Sequence, residues 1–197
     1  GGDLATTNLP GVFTPSNRTP APAPKSAFPE PRRTRLPVLR SYAGLEENGT
    51  IVPAGYVEAT RGCHHTCTHC PITPVYGGKL VVVPRDRVLD DIARQVEMGA
   101  RHITFGDPDF FNGPAHSLRI LRQMRERWPE LTFDATIKIE HILEHRQRLP
   151  ELAELGCRFV VSAVESLNDE ALRRMKKGHT AASVSEAIDL LDAVGIP

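Results

Sequence analysis

From residue 56 onward, short apolar runs alternate with stretches in which apolar residues recur every three or four positions. The short runs are typical of strands, and the three-to-four spacing is typical of helices. The runs predict four strands, at residues 56–60, 102–105, 131–137 and 158–164. The helical spacing predicts helices at residues 88–96, 118–124, 150–155, 169–175 and 181–194.

This alternation determines the expected fold class. Strands separated by helices indicate right-handed βαβ crossovers and therefore a parallel sheet. A closed barrel of eight such units needs about 250 residues, whereas the patterned core, predicted to span residues 51–197, has room for about four. The sequence therefore predicts an α/β fold of parallel βα repeats that form a partial, TIM-like barrel. Because the chain opens at Gly1 without a methionine and stops at Pro197, we expect it to be an internal piece of a longer protein.

Residues 1–50 have a different character from the core. Eight of the 17 prolines lie between Pro10 and Pro37, and proline fixes φ and lacks the backbone N–H that helices and central strands need. We expect an extended, largely irregular lead-in. Its basic residues favour a solvated linker over a nucleic-acid-binding arm, because aromatic residues hardly interleave with the charges.

The overall charge excludes some classes of partner. The 24 Lys and Arg residues balance the 24 Asp and Glu residues, so there is no general attraction to nucleic acid or to an anionic membrane. The longest aliphatic run, residues 80–83, is far shorter than the roughly 20 residues of a membrane-spanning helix. No secretory signal pattern opens the chain. We expect a cytoplasmic protein with no membrane partner and no clear nucleic-acid patch.

The strongest chemical signal is the segment 63–70, which reads CHHTCTHC and follows the first predicted strand. In parallel α/β folds, ligands bind at the carboxyl ends of strands. Three thiolates are one fewer than an iron–sulfur cluster usually takes, so one iron would be open to a small molecule. The spacing favours Cys63, Cys67 and Cys70 as ligands of such a cluster.

A structural zinc ion is the main alternative for these cysteines. His64, His65 or His69 would complete a Cys₃His site. Zinc modules usually add a second ligand pair from elsewhere in the chain, and this sequence has no second CxxC motif. A non-enzymatic zinc-binding module therefore stays open as the less favoured interpretation.

The CxxxCxxC segment after the first strand of a βα series resembles the radical S-adenosylmethionine (radical SAM) superfamily, and the resemblance covers about residues 52–197. Residues 168–180 are similar to the methylthiotransferase-like and B12-associated branch. The motif GDPDFFNGP at 106–114 resembles a subgroup named for a C-terminal CUAEP/CCAEP tail. One departure is His69, where the family usually has an aromatic residue.

The resemblance implies a specific chemistry. Cys63, Cys67 and Cys70 would hold a [4Fe–4S] cluster whose fourth iron binds SAM. Reductive cleavage of SAM would give a 5′-deoxyadenosyl radical that modifies a substrate left open by the sequence. A flavodoxin- or ferredoxin-type reductant is implied as a partner, and cobalamin is a further cofactor that this branch allows.

The same resemblance implies SAM contacts at the ends of the second, third and fourth strands, namely Gly106, Asp107, Lys138, Ser162 and Glu165. Each of the charged residues also has an ordinary structural interpretation. Asp107 precedes a proline and is typical of a turn, Lys138 fits an exposed surface position, and Glu165 fits the cap of the next helix.

Overall fold

The computed structural model describes residues 13–18, 28–29, 31–42 and 44–197. Most of the proline-rich lead-in predicted for residues 1–50 therefore lies outside the described part. Its described portions include two short 3₁₀ turns, Arg33–Arg35 and Leu39–Ser41. A two-stranded hairpin spans residue 50, so the predicted boundary between lead-in and core falls inside a regular element.

The strands in chain order are β1 (Leu45–Glu47), β2 (Thr50–Val52), β3 (Ala54–Val57), β4 (Thr60–Gly62), β5 (Leu80–Val82), β6 (His102–Phe105), β7 (Thr132–Thr136) and β8 (Cys157–Val161). The helices are α1 (Ile72–Tyr76), α2 (Arg85–Glu97), α3 (Pro114–Arg127), α4 (Ile139–Glu144), α5 (Leu149–Glu154), α6 (Asp169–Met175) and α7 (Ala181–Asp192).

All five predicted helices are present, and β6 and α6 have their predicted bounds. The hydrophobic pattern did not predict β1, β2, β5, α1 or α4. Within the described residues, none of these helices is long and apolar enough to cross a membrane.

Four parallel strands form the main sheet, in the order β3-β6-β7-β8. Their register places Val57 beside Phe105 and Phe105 beside Ala135. Helical segments connect successive strands of this sheet, as βαβ crossovers require. The predicted α/β fold of parallel βα repeats in a partial TIM-like barrel is confirmed.

The two faces of the main sheet differ in burial. On the covered face, the ring of Phe105 lies 4.6 Å from that of Phe110 and 5.8 Å from that of Phe133, and all three are fully buried beneath the helices. On the opposite face, Tyr56 and Val161 are each about half exposed. The sheet therefore presents one packed face and one open face, as expected of a barrel that is only partly closed.

The first predicted strand, residues 56–60, is in fact two strands, because a buried carboxylate breaks it. Asp107 follows β6, and its Oδ2 accepts a hydrogen bond from the Ala59 N–H (2.9 Å). Its Oδ1 accepts from the Thr60 N–H and Thr60 Oγ1, each at 2.6 Å. These backbone groups are consequently not free to pair along the sheet. β3 ends at Val57, and β4 turns away to pair antiparallel with β5.

Among the described residues, side chains rather than another strand satisfy the outer edge of β3. The carboxamide of buried Gln95 accepts from the Tyr56 N–H (2.8 Å) and donates to the Tyr56 carbonyl (3.1 Å). Arg33 donates to the same carbonyl at 2.7 Å and pairs with Asp91. At the other edge, the Val160 N–H donates to the carbonyl of Pro197 (3.0 Å). Gln95 therefore blocks β3 against unwanted strand pairing.

We expect Gln95→Leu to lower the free energy of unfolding by about 1–3 kcal/mol, because it leaves the Tyr56 N–H without its acceptor, although Arg33 still donates to the Tyr56 carbonyl. Urea denaturation followed by circular dichroism measures the change. Gln123→Leu, a half-buried position on α3, is the matched control and should change stability by less than about 0.5 kcal/mol. Equal effects of the two substitutions would contradict the role assigned to Gln95.

Asp107 makes stability depend on pH. Burial raises the pKa of Asp107 to about 6, although hydrogen bonds from Thr60 and Ala59 act in the opposite direction. Because an unfolded aspartate titrates near 3.9, folding favours the protonated form. The stabilisation is full below about pH 4 and is lost as the pH rises through about 6. Relative to Asp107→Asn, the unfolding free energy of the wild type should fall by roughly 3 kcal/mol as the pH rises above 6. Urea melts at several pH values measure it, and parallel curves for the two proteins would refute the expectation.

Candidate active site

The cysteine segment forms a loop between β4 and α1. Gly62, the last residue of β4, has a φ of +84°, and a Cβ there would lie 2.3 Å from the Lys79 carbonyl oxygen and 2.7 Å from the Tyr76 ring. Only glycine fits such a position without strain. The chain therefore reverses immediately before Cys63 and brings the loop back over the carboxyl ends of the parallel strands.

All three cysteines of the loop line one cavity of about 130 Å³. Cys67 is buried, Cys63 and Cys70 are half-buried, and all three are free thiols. The rest of the lining comes from the loop and from the segments after β6, β7 and β8, and it consists of His65, His69, Thr73, Pro108, Thr136, Lys138, Ala163, Glu165 and Lys177. The arrangement confirms that the cysteines lie at the carboxyl edge of the sheet.

Contacts at both ends hold the loop in place. At its start, Asn112 Oδ1 accepts from the His64 N–H (3.2 Å) and lies 3.7 Å from the Cys63 sulfur. Towards its end, the Thr68 N–H donates to the Met175 carbonyl (3.1 Å) at the last residue of α6. The Cys67 thiol also points at the carbonyl of Lys176, at 3.5 Å. Two distant parts of the chain thus fix the loop from opposite sides.

Charged groups of both signs face the cavity. Glu165 Oε1 lies 3.2 Å from His69 Nε2 and 3.5 Å from Lys177 Nζ. Burial acts to raise the pKa of Glu165, but Lys177 and His69 together hold that pKa below its ordinary value. Lys138 Nζ pairs with Glu140 Oε2 at 2.8 Å. A ligand with both a carboxylate and an ammonium group finds complementary charges here.

A second set of polar side chains, made of His65, His141 and Asp109, lies beside the cysteine loop. His65 Nε2 lies 3.2 Å from His141 Nε2, and His141 Nδ1 lies 2.8 Å from Oδ2 of the fully buried Asp109. Burial lowers the pKa of His65, and the neighbouring Lys138 adds to the effect. Ligand atoms of Cys63, His65 and Asp109 lie within 4.8 Å of one another, close enough for a single metal ion.

The side chains available as ligands distinguish a zinc site from an iron–sulfur cluster. Among the described residues, the group that converges on a single ion takes one cysteine, Cys63, and leaves Cys67 and Cys70 outside it. Thiolates that share a cavity without converging on one point fit a larger, polynuclear centre better than a tetrahedral zinc ion. The residues present therefore fit an iron–sulfur cluster.

The structure brings together some of the predicted SAM contacts and separates others. Lys138 and Glu165 share the cavity with the cysteines. Asp107 does not line it, because its carboxylate is engaged at the β3–β4 junction. Gly106 lies under the Tyr56 ring, which would clash with any Cβ. Ser162 Oγ is buried and has no hydrogen-bond partner among the described residues.

Sequence reasoning missed four residues of the site. Lys177 was part of a quoted motif but was not assigned to the cavity, and its side chain is only 6% exposed. Asp109 and His141 were not singled out. His65 was weighed as a zinc ligand and as a group behind the cluster ligands, but it was interpreted as an ordinary loop residue. The available signal was position, since Asp109 follows β6 and His141 lies just after β7, in the connections that parallel folds use for ligands.

Comparison with known proteins places this geometry in context. The chain is 28% identical over 173 residues to the tRNA-2-methylthio-N(6)-dimethylallyladenosine synthase of Mannheimia succiniciproducens, covering 81% of this chain and 35% of that protein. It is 24% identical over 190 residues to the hopanoid C-3 methylase of Methylococcus capsulatus, covering 95% of this chain and 36% of that protein. The chain thus spans about a third of the length of these curated relatives. They support the resemblance to the methylthiotransferase-like and B12-associated branch, and the narrower subgroup stays a prediction.

Solved structures and a family model agree with these relatives. The fold is similar to that of the radical SAM methyltransferase TsrM from Kitasatospora setae with cobalamin and a [4Fe-4S] cluster bound, with a TM-score of 0.61, 21% identity and coverage of 85% of this chain and 36% of that one. The sequence model of the radical SAM superfamily matches residues 57–197, well over half of the chain. The chain therefore belongs to the radical SAM superfamily.

Proposed function

We propose that Cys63, Cys67 and Cys70 bind the [4Fe–4S] cluster that this family uses, and that SAM binds beside it at the charged residues of the same cavity. The observation that carries this proposal is the shared cavity itself, where three free thiols lie beside Lys138 and Glu165. A cluster held by three thiolates keeps one iron open to the amino and carboxylate groups of SAM. When bound and reduced, the cluster supplies the electron that cleaves SAM and yields a 5′-deoxyadenosyl radical.

The protein's own contribution to SAM binding is electrostatic. Lys138 and Lys177 offer two ammonium groups to the carboxylate of SAM, and Glu165 offers a carboxylate to its ammonium and sulfonium groups. Lys177 is nearly fully buried, so its charge is little screened by solvent and contributes more than an exposed lysine would. Glu165 already accepts from Lys177, which keeps the carboxylate ionised and oriented towards the cavity.

The remaining predicted contacts have different positions. Asp107 supports the site by fixing the junction from which the cysteine loop departs. Ser162 has a buried hydroxyl without a partner among the described residues, so it retains a free donor for the ribose or carboxylate of SAM. Direct contact of SAM with Gly106, Asp107 and Ser162 stays a prediction.

We further propose a reaction class for the longer protein that contains this chain. The two curated relatives are named for adding a methylthio and a methyl group, and the TsrM title describes a methyltransferase. Transfer of a methyl or methylthio group is therefore the favoured class. A flavodoxin- or ferredoxin-type protein would supply the electron.

A zinc module is the second candidate, favoured by the tight grouping of Cys63, His65 and Asp109. It predicts one zinc ion per chain after aerobic purification and no interaction with SAM. The cluster predicts iron and sulfide binding that needs all three cysteines, including Cys67 and Cys70, which the single-ion group does not use. Metal analysis after reconstitution therefore separates the two.

We expect anaerobic reconstitution to load about four irons per chain, with the broad visible absorbance of thiolate-bound clusters. The Cys63→Ala/Cys67→Ala/Cys70→Ala variant should lose nearly all of this iron, because alanine cannot ligate it. Cys157→Ala is the matched control and should load normally, since Cys157 is buried at the start of β8. A wild-type chain that takes up one zinc ion and never a cluster would overturn the proposal.

We also expect Lys177→Met to raise the Kd of the reconstituted chain for SAM by about tenfold or more, since a charge-assisted hydrogen bond contributes roughly 1.5–3 kcal/mol. Anaerobic isothermal titration calorimetry measures it. The control is Lys176→Met, at the adjacent exposed position, which should change the Kd by less than about twofold. Equal Kd values for Lys177→Met and wild type would remove Lys177 from the SAM site.

A further inference from the structure

Asp109 is a fully buried carboxylate with an unusual set of neighbours. Its Oδ1 accepts a hydrogen bond from the Phe111 N–H (3.2 Å) at the start of a short 3₁₀ turn. The nitrogens beside Oδ2 belong to histidines, His141 Nδ1 at 2.8 Å and His65 Nε2 at 3.9 Å. Burying a carboxylate is costly unless it is paired. The histidine nitrogens are the groups closest to Oδ2, which has no well-aligned hydrogen bond among the described residues.

The geometry gives His141 the role of a link. His141 Nδ1 lies 2.8 Å from Asp109 Oδ2, and neither atom has a well-aligned hydrogen bond among the described residues. The nearby carboxylate favours the proton of neutral His141 on Nδ1, which leaves a lone pair on Nε2. That Nε2 faces His65 Nε2 at 3.2 Å, and the two rings lie 4.8 Å apart. The N–H of His65 is the natural donor to this lone pair. The orientation of the His65 ring is therefore fixed through His141 by a carboxylate buried in the core.

His65 lies in the middle of the cysteine loop, two residues from Cys63 and two from Cys67. Its other ring nitrogen, Nδ1, lies 3.5 Å from Glu140 Oε2. The neighbouring His64 points elsewhere, with Nδ1 3.4 Å from the Gly78 carbonyl. His65 thus ties the centre of the loop to α4 and to the segment after β6.

We propose that Asp109 and His141 are positioning residues that hold His65 against the Cys63 side of the cluster. The inference rests on the proposed function, because it assigns these residues to the cluster that the cysteines bind. Partners behind the groups nearest a metal centre commonly affect its affinity by 10–100-fold. Here the partners act on the loop, which keeps the thiolates in place and limits the access of solvent and chelators to the cluster.

The experiment compares cluster loss in five variants of the reconstituted 197-residue chain, one of which is the double variant His65→Phe/His141→Phe. The variants His65→Phe and His141→Phe remove the link and preserve ring volume. The variant His141→Gln keeps a polar group that can reach His65, and His64→Phe is the matched control in the same loop. The rate of bleaching in anaerobic chelator is measured, with thermal unfolding of each cluster-free chain as a check on folding.

We expect His65→Phe and His141→Phe each to lose the cluster about tenfold faster than wild type. The double variant should be no faster than the more affected single variant, because both break one link. His141→Gln should restore part of the lifetime, and His64→Phe should behave as wild type. The electron paramagnetic resonance spectrum of the reduced cluster should change alike in both Phe variants, which a loss of stability alone would not produce.

The outcomes distinguish a failure of the positioning role from a failure of the proposed cluster binding. A wild-type chain that never loads a cluster contradicts both. If the wild type loads and the two Phe variants keep their clusters and spectra, the positioning role is wrong and the proposed function stands. If the effects of His65→Phe and His141→Phe on the rate of cluster loss add in the double variant, the proposed link between the two residues is also wrong. If His141→Phe does not fold, His65→Phe, which leaves Asp109 and His141 in contact, decides the matter alone.

Discussion

The hydrogen bonds that Asp107 accepts from Ala59 and Thr60 are the constraint on which the rest of the site depends. They join the end of β6 to the point where β3 would otherwise continue straight. β4 therefore leaves the sheet, pairs with β5, and delivers Cys63 back over the strand ends. A strand that ran uninterrupted through these residues would carry the cysteines past the edge of the sheet. Burying the Asp107 carboxylate costs folding free energy, and its hydrogen bonds set the direction in which the cysteine loop leaves the sheet.

The parallel sheet then gathers side chains that are far apart in sequence. Asn112 arrives after β6, Lys138 after β7 and Glu165 after β8, and all three meet the cysteine loop. Parallel strands place their carboxyl ends at one edge, so the segment that follows each strand adds side chains to the same cavity. The covered face of the sheet, built on Phe105 and its neighbours, keeps that edge rigid. The fold and the site are therefore two consequences of one topology.

The sequence predicted those features that depend on local pattern. The apolar periodicity found β6 and α6, and the cysteine spacing located the loop. The break between β3 and β4 was missed, because it depends on a carboxylate some 47 residues away. Lys177 was missed for a related reason, since its burial arises only when the turn after α6 packs on the cysteine loop. Periodicity reports which residues face a core, whereas polar contacts across the chain appear only once the fold is formed.

Glu165 adopts a φ of +66°, a left-handed conformation that costs a residue with a side chain roughly 1–2 kcal/mol. Glycine or asparagine would relieve this cost. Selection for folding stability alone, in the laboratory or in a design calculation, would therefore replace Glu165 by glycine or asparagine. That replacement would remove the carboxylate from the cavity. The residue found at this position in variants of the chain consequently reports which property was selected: an acidic side chain marks retention of the pocket, and glycine marks retention of the fold alone.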